Sequence, residues 1–287
     1  MQTEQTQQAQ TLFYGRKDNE PDTEYHSKND YISSSPLVEI DKSPLHFFQA
    51  TYGEGKEATD AMDKGTFIHK IILEQDIAKY VPRPLNEKGE LVRSNSKEYT
   101  AFLAANEGKT AIHPDLFNEA NAVLTAAIQH ERFMDLFSQS KPEVSFYGQH
   151  KKTGLAMKAR TDLIANDYSF IVDVKSTSDM SRFEKQIFNL NYDIRLIHYL
   201  ETISASVGQD VDDIYFFAIE SSRPFGCKLF KLDEKSIVWA REKWDEWLSE
   251  IKVCRLDNSY PGYSQEVTVV SRPPYLRSGG VSFDGLQ

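Results

Sequence analysis

Asp173 and Lys175 stand one residue apart in the run Ile171-Val172-Asp173-Val174-Lys175. Side chains alternate across a strand, so in an extended run the acid and the ammonium share one face while Val172 and Val174 take the other. A second aspartate, Asp162, belongs to the preceding alternating run, and a turn at Asn166-Asp167 would fold the two runs into a hairpin that brings Asp162 beside Asp173. Two facing carboxylates repel, and the arrangement is stable mainly with a divalent cation between them. A hard ion such as Mg²⁺, for which Mn²⁺ can substitute, prefers oxygen ligands and keeps waters, one of which can attack a phosphodiester. Lys175 would then orient or deprotonate that water and face the charge developing on the phosphate. The main-chain carbonyl of Val174 offers one more oxygen. An acid and a lysine at this spacing are also common as a solvated cross-strand pair. The apolar neighbours Ile171, Val172 and Val174 weigh against that reading, because they make the strand central, where charges need a partner or a function.

Two further residues have open readings. Glu143 begins an alternating run and is either a further carboxylate for the metal pair or an exposed acid at a strand end. His69 sits among Ile68, Ile72 and Leu73 in a helical pattern, where spacing alone favours a satisfied core or surface histidine over a ligand.

The elements that must position these groups are legible from periodicity. Three consecutive strands are predicted over 143–149, 155–165 and 168–176, followed by helices over 180–188 and 192–207. Two more strands, 214–220 and 226–232, lead to a helix that Asp233 caps and that runs to Ile251. The first half is mostly helical, with helices over 65–75, 97–106 and 114–138 and a loop over 82–96. The fold class is therefore α/β, a central mixed sheet of about five strands flanked by helices. Residues 1–28 are polar and read as a flexible tail, 29–254 as one domain, and 255–287, which carries Pro261, Gly262, Pro273, Pro274, Gly279 and Gly280, as an irregular or disordered tail.

Composition excludes little and agrees with this. The 287 residues are 40% hydrophobic and 26% charged, with no apolar run of membrane length. Two cysteines, Cys227 and Cys254, are too few for a disulfide framework or a four-cysteine metal site, and with no secretory start they suggest the cytoplasm. A formal charge of −10 argues against a non-specific DNA coat protein but is nearly neutral towards an enzyme that carries carboxylates for its metals.

Six segments in order, YISSSPLVEIDKSPLHFF, GTFIHKIILE, EVSFYG, KARTDLI, IVDVKSTSD and NYDIRLIHYL, resemble the RecE-like (exonuclease VIII) branch of the PD-(D/E)XK nucleases, related more distantly to the RecB nuclease domain and lambda exonuclease. The resemblance covers about residues 30 to 250 and implies a restriction-endonuclease-like fold. It implies that His69 is the histidine of the early helical motif near the metal, that Glu143 is the acid opening the core sheet, and that Asp162, Asp173 and Lys175 are the central ligands and catalytic lysine. The family's late helix carries Gln and, four residues on, Tyr; this chain has Arg195 and Tyr199. Arg195 is either a DNA-phosphate ligand replacing the glutamine or a surface arginine that can pair with an acid such as Glu201. On a helix Arg195, His198 and Tyr199 would form one polar edge.

The implied activity is Mg²⁺-dependent digestion of one strand of linear duplex DNA, 5′ to 3′, leaving single-stranded tails for recombination or repair in a phage setting. Phe47, Phe48 and Tyr52 are candidates to stack on bases, with core packing as the competing role. A homo-oligomer and a single-strand annealing protein are the partners the resemblance suggests. The competing functions are an endonuclease or flap nuclease of the same fold, and a non-catalytic DNA-binding module with a degenerate site.

Overall fold

Alternation of apolar and polar residues makes the predicted strands pair, and the apolar stripes of the helices cover both faces of the resulting sheet. In a computed structural model, which describes residues 12–53 and 60–271, the strands are β1 (Gly15–Lys17), β2 (Tyr80–Pro82), β3 (Thr110–Ile112), β4 (Ser140–Gln149), β5 (Ala156–Ala165), β6 (Phe170–Thr177), β7 (Asp213–Glu220) and β8 (Cys227–Lys231). The helices are α1 (Asp22–Ser27), α2 (Ser34–Leu37), α3 (Pro44–Tyr52), α4 (Asp60–Glu74), α5 (Lys97–Ala105), α6 (Pro114–Gln129), α7 (Glu131–Ser138), α8 (Phe183–Asn189), α9 (Tyr192–Val207) and α10 (Glu234–Asp257).

The main sheet has six strands in the order β1-β4-β5-β6-β7-β8, one more than the expected five. Its neighbours are antiparallel except β6 and β7, which run parallel because α8 and α9 form the crossover between them. β2 and β3 form a separate parallel pair. On one face, Phe47 of α3, Phe183 of α8, Ile194 and Leu200 of α9 and Trp244 of α10 pack on Phe146, Ile164, Ile171 and Phe216. On the other, Ile68 and Ile72 of α4, Val123 of α6 and Phe133 of α7 cover Leu163, Val172, Val174 and Phe217. Each such side chain, fully buried, is worth about 1.5–3 kcal/mol, so the two apolar sets of β5 and β6 fix which face the acids between them take.

Gly148 sets how closely α9 lies on the sheet. A Cβ there would stand 2.8 Å from the Ala205 Cβ and 2.9 Å from the Thr202 carbonyl, so any side chain pushes α9 away from β4.

Three expectations are corrected. Residues 12–28 are not a tail: β1 extends the sheet along β4, and α1 buries Tyr25. The anchor is polar, with the Tyr147 hydroxyl donating to Glu20 Oε2 at 2.6 Å and Lys28 paired with the same carboxylate, which is why a polar composition misled. Residues 1–11 lie outside the described residues. The single helix expected over 114–138 is two, divided at His130, whose Nδ1 accepts from the Phe133 amide at 3.2 Å and caps α7. At the other end, α10 runs six residues past the expected stop at Ile251 to Asp257, and 258–271 contain no helix or strand; residues 272–287 are outside the description. No helix among the described residues is long and apolar enough to cross a membrane.

Candidate active site

The β5–β6 hairpin pairs only near its turn, at Leu163↔Val172 and Ile164↔Ile171, after which β6 continues alone against β7 through Thr177. The two strands fork, and the fork leaves the Val174 amide without a ladder partner. Asp162 fills the place: its Oδ2 accepts from the Val174 amide at 2.7 Å. In an extended strand the amide and carbonyl of one residue point to the same side, so the Val174 carbonyl also faces the fork, 3.4 Å from Lys175 Nζ.

Around this fork the structure brings together four of the residues singled out. His69, carried in from the opposite layer by α4, places Nε2 2.9 Å from Asp162 Oδ2. Lys175 Nζ lies 2.5 Å from Asp173 Oδ2. The carboxylates are thus served in pairs, His69 with Asp162 and Lys175 with Asp173. Glu143 is the fifth. The β4–β5 ladder is interrupted between Pro142↔Leu163 and Val144↔Thr161, which puts Glu143 opposite Asp162. Its φ of +50° is left-handed, a conformation costing a non-glycine residue about 1 kcal/mol or more.

Burial opposes charge on both aspartates, but their partners divide them. For Asp162 burial is outweighed by the imidazole of His69, then by Lys175 and the Val174 amide, and the carboxyl titrates below the usual range. For Asp173 burial prevails over Lys175, and the nearby Asp162 charge adds to it, so its carboxyl titrates above the usual range. Burial would discharge Lys175, yet the two aspartates more than compensate and hold its ammonium charged. Burial likewise works against charge on His69, and Asp162 reverses it. Glu143 is raised by burial and then by Asp22.

A cleft of about 500 Å³ opens onto Asp162, His69, Glu143 and Tyr199, with α1 and the segment through Ser33, Ser34 and Ser35 as its other wall. Tyr199 accepts a hydrogen bond from Ser34 Oγ at 3.4 Å, and burial, then Asp173, pushes its phenol up to about 12. Asp173 and Lys175 are not among the lining residues; the bond from Asp162 to the Val174 amide connects them to it.

No group of three or more His, Cys, Asp or Glu among the described residues forms a ready metal cage. What the fork offers is sparser. Among the described residues, Oδ1 of Asp162 and Oδ1 of Asp173 take no hydrogen bond, while each Oδ2 is engaged. One free carboxylate oxygen from each acid, with the Val174 carbonyl facing the same fork, suits an ion such as Mg²⁺ that takes one or two carboxylates and completes its shell with water and substrate phosphate.

The late-helix residues differ from one another. Arg195 forms no ion pair among the described residues and lies over the Tyr192 ring, its Cζ 5.6 Å from the centroid; Glu201 is taken instead by Arg241 at 2.7 Å. His198 is not part of a polar edge. It is fully buried, its Nε2–H shared between the carbonyls of Ile32 and Lys158 at 3.1 Å each and its Nδ1 accepting from Trp244 Nε1 at 3.1 Å. Of the aromatic candidates, Phe47 is wholly buried in the core, while Phe48 and Tyr52 are 37% and 43% exposed.

Sequence reasoning passed over Ser34, Lys158 and Arg160. The last two share a face with Asp162 by simple alternation along β5, a signal present in KARTD. Lys158 donates to the carbonyls of Tyr25 and Lys28 at 2.8 Å each, and burial lowers its ammonium to about 8. Arg160 pairs with Asp22 and donates to Ser145 Oγ at 3.1 Å and to the Glu20 carbonyl at 2.9 Å. Both cations are thereby tied to the wall of the cleft.

A family model described as a PDDEXK-like domain of unknown function (DUF3799) matches residues 33–273. Among solved structures, a candidate exonuclease from Eubacterium rectale is similar in fold, with a TM-score of 0.61 at 15% identity over 92% of this chain and 100% of that one. An alkaline exonuclease from Laribacter hongkongensis aligns with a TM-score of 0.32 at 10% identity, over 83% of this chain and 97% of that one. A phage-related exonuclease from Haemophilus somnus 129PT aligns at 0.35 and 11% identity, over 80% and 96%. No curated protein matches the sequence significantly.

Proposed function

The chain belongs to the PDDEXK-like family DUF3799, and from that premise we propose that it is a Mg²⁺-dependent exodeoxyribonuclease that digests one strand of linear duplex DNA, 5′ to 3′. The observation that carries this reading is the convergence at the β5–β6 fork of Asp162, Asp173 and Lys175, with one free oxygen left on each acid. The description of the Eubacterium rectale protein as an exonuclease supports the reaction class.

Asp162, Asp173 and the Val174 carbonyl would hold the ion. Bound there, Mg²⁺ supplies charge to the scissile phosphate and a water acidic enough to attack it. His69 orients Asp162, a part that suits a nitrogen donor better than ligating a hard ion. Lys175, kept charged by its two acids, acts by hydrogen bonding to the attacking water and by facing the phosphate rather than by removing a proton. Glu143, opposite Asp162, is placed to take up a proton or hold a second water. Arg195, without an ion pair among the described residues, binds a DNA phosphate, and Tyr199 stays a neutral hydroxyl at the cleft. The homo-oligomer, the annealing partner and the recombination role implied by the resemblance belong to the same proposal.

Digestion of end-labelled linear duplex, with closed circular duplex alongside and with Mg²⁺ present or chelated, tests the reading. Linear DNA is expected to shorten from its 5′ ends only with Mg²⁺, the circle to survive, and Asp173→Ala to be inactive yet folded. Cutting of the circle would replace the exonuclease with an endonuclease. Full activity in Asp173→Ala would remove Asp173 from the chemistry.

A further inference from the structure

Tyr192, the first residue of α9, faces two cations at once. Lys175 Nζ lies 5.4 Å from its ring centroid and Arg195 Cζ 5.6 Å from the same point. The ring is itself held by aromatic neighbours at the end of the core, Phe183 at 6.5 Å and Phe216 at 6.4 Å between centroids. Phe183 and Phe216 are wholly buried, so the plane of Tyr192 is set from behind by packing. Its hydroxyl makes no hydrogen bond among the described residues; what Tyr192 presents to the site is its π system.

Lys175 has few other restraints. Apart from this ring its Nζ touches Asp173 Oδ2 and, at 3.4 Å, the Val174 carbonyl. The Val174 carbonyl is assigned above to the ion, and Asp173 Oδ2 belongs to the carboxylate whose other oxygen is. A cation held by that carboxylate and that carbonyl would compete with the ammonium for both groups, and a lysine on a flexible four-carbon stem gains from a contact the ion does not share. A ring quadrupole attracts an ammonium within about 6 Å without competing for the carboxylate. Among the described residues, Tyr192 is therefore the contact of Lys175 that shares no group with the proposed ion site.

We propose that Tyr192 is a positioning residue that seats Lys175 for the reaction through its aromatic face and, on the same ring, steadies Arg195 for phosphate. The inference rests on the nuclease reading above and adds to it a residue outside the acid–lysine motif. In kinetic terms the seat of Lys175 affects kcat and that of Arg195 affects KM.

The test varies the ring's electrons while keeping its shape. Phenylalanine, 4-fluoro-, 3,5-difluoro- and 3,4,5-trifluorophenylalanine are placed at position 192, and kcat and KM for Mg²⁺-dependent digestion of linear duplex are measured. Tyr192→Phe is expected to match the natural chain within about twofold. Along the fluorinated series log kcat should fall stepwise, to about 3- to 30-fold below phenylalanine at the trifluoro ring. Tyr192→Leu should fall at least as far, with thermal unfolding as its folding control; if it does not fold, the isosteric series still decides. A flat kcat along the series overturns the proposal, and so does a rise in KM alone, which would leave the ring serving Arg195 only. If the natural chain digests nothing under conditions in which it is folded, the nuclease reading fails and this role with it. Activity with a flat series sinks the role of Tyr192 alone.

Discussion

Asp193 is a buried acid with no side-chain partner among the described residues, and its removal should make the protein more stable. The residue lies in the first turn of α9 at 1% exposure, and among the described residues neither carboxyl oxygen has a hydrogen-bond partner. Burial raises its titration to about 6 from an ordinary value of 3.8, against the smaller opposing pull of the Ile194 and Asp193 main-chain amides. Below pH 3.8 the carboxyl is neutral folded and unfolded, and costs nothing. Between there and pH 6 the unfolded chain ionises while the folded one holds its proton, so stability falls as pH rises, and above pH 6 the loss is constant. At about 1.36 kcal/mol per tenfold ratio the full loss is about 3 kcal/mol, and about 2 kcal/mol once water reaching the ionised group is allowed for.

Asp193→Asn removes the charge and keeps the shape. Urea unfolding followed by fluorescence of Trp239, Trp244 and Trp247 should show the variant more stable by about 2 kcal/mol at pH 8. With a slope near ~3 kcal/mol/M, the midpoint moves up by roughly 0.7 M. At pH 4 the advantage should vanish. His198, lowered by burial to about 4, titrates in the same window in the opposite sense, but it is common to both proteins and cancels in the difference. An Asn variant less stable than its parent at pH 8, or a difference independent of pH, would refute the account and show that Asp193 is ionised and satisfied.

Arg195→Gln restores the residue usual in the family and should retain or improve digestion, with any change mainly in KM; complete loss would show a contact only the guanidinium makes. Gly148→Ala should destabilise by about 1–3 kcal/mol, measured by urea unfolding, because the added methyl meets Ala205 and the Thr202 carbonyl; unchanged stability would mean that α9 can retreat freely. Asp162→Asn should cost activity as severely as Asp173→Ala but also stability, because an amide replaces the charged acceptor of the Val174 amide and the partner of His69. Equal stability of those two variants would show that the fork does not depend on that bond.

The acid pair was legible because what specifies it is local. Alternation within β5 and β6 and one short turn are enough to place Asp162, Asp173 and Lys175 on one face, and the pattern needs no knowledge of distant chain. His69 could not be placed that way: its helix packs on the far face of the sheet, and only the closed structure shows that it reaches Asp162. His198 was misjudged because its partners, Ile32, Lys158 and Trp244, come from three separate parts of the chain. The same holds for residues 12–28, whose polar side chains are spent on contacts over more than a hundred residues, such as Glu20 with Tyr147. Tyr192 carried no signal at all, since an aromatic at a helix start is ordinarily core and its meaning here depends on two cations meeting over it.

The open hairpin makes its two aspartates unequal under mutation and drift. Asp162 closes a gap in the backbone as well as lining the cleft, whereas the charge of Asp173 is opposed by burial and only partly offset by Lys175. A descendant released from selection for cutting would lose less by discarding the second acid than by discarding the first. On the proposed nuclease reading, decay of such a site has a direction: Asp173 is replaced first, while an acceptor at position 162 outlives the activity as part of the scaffold.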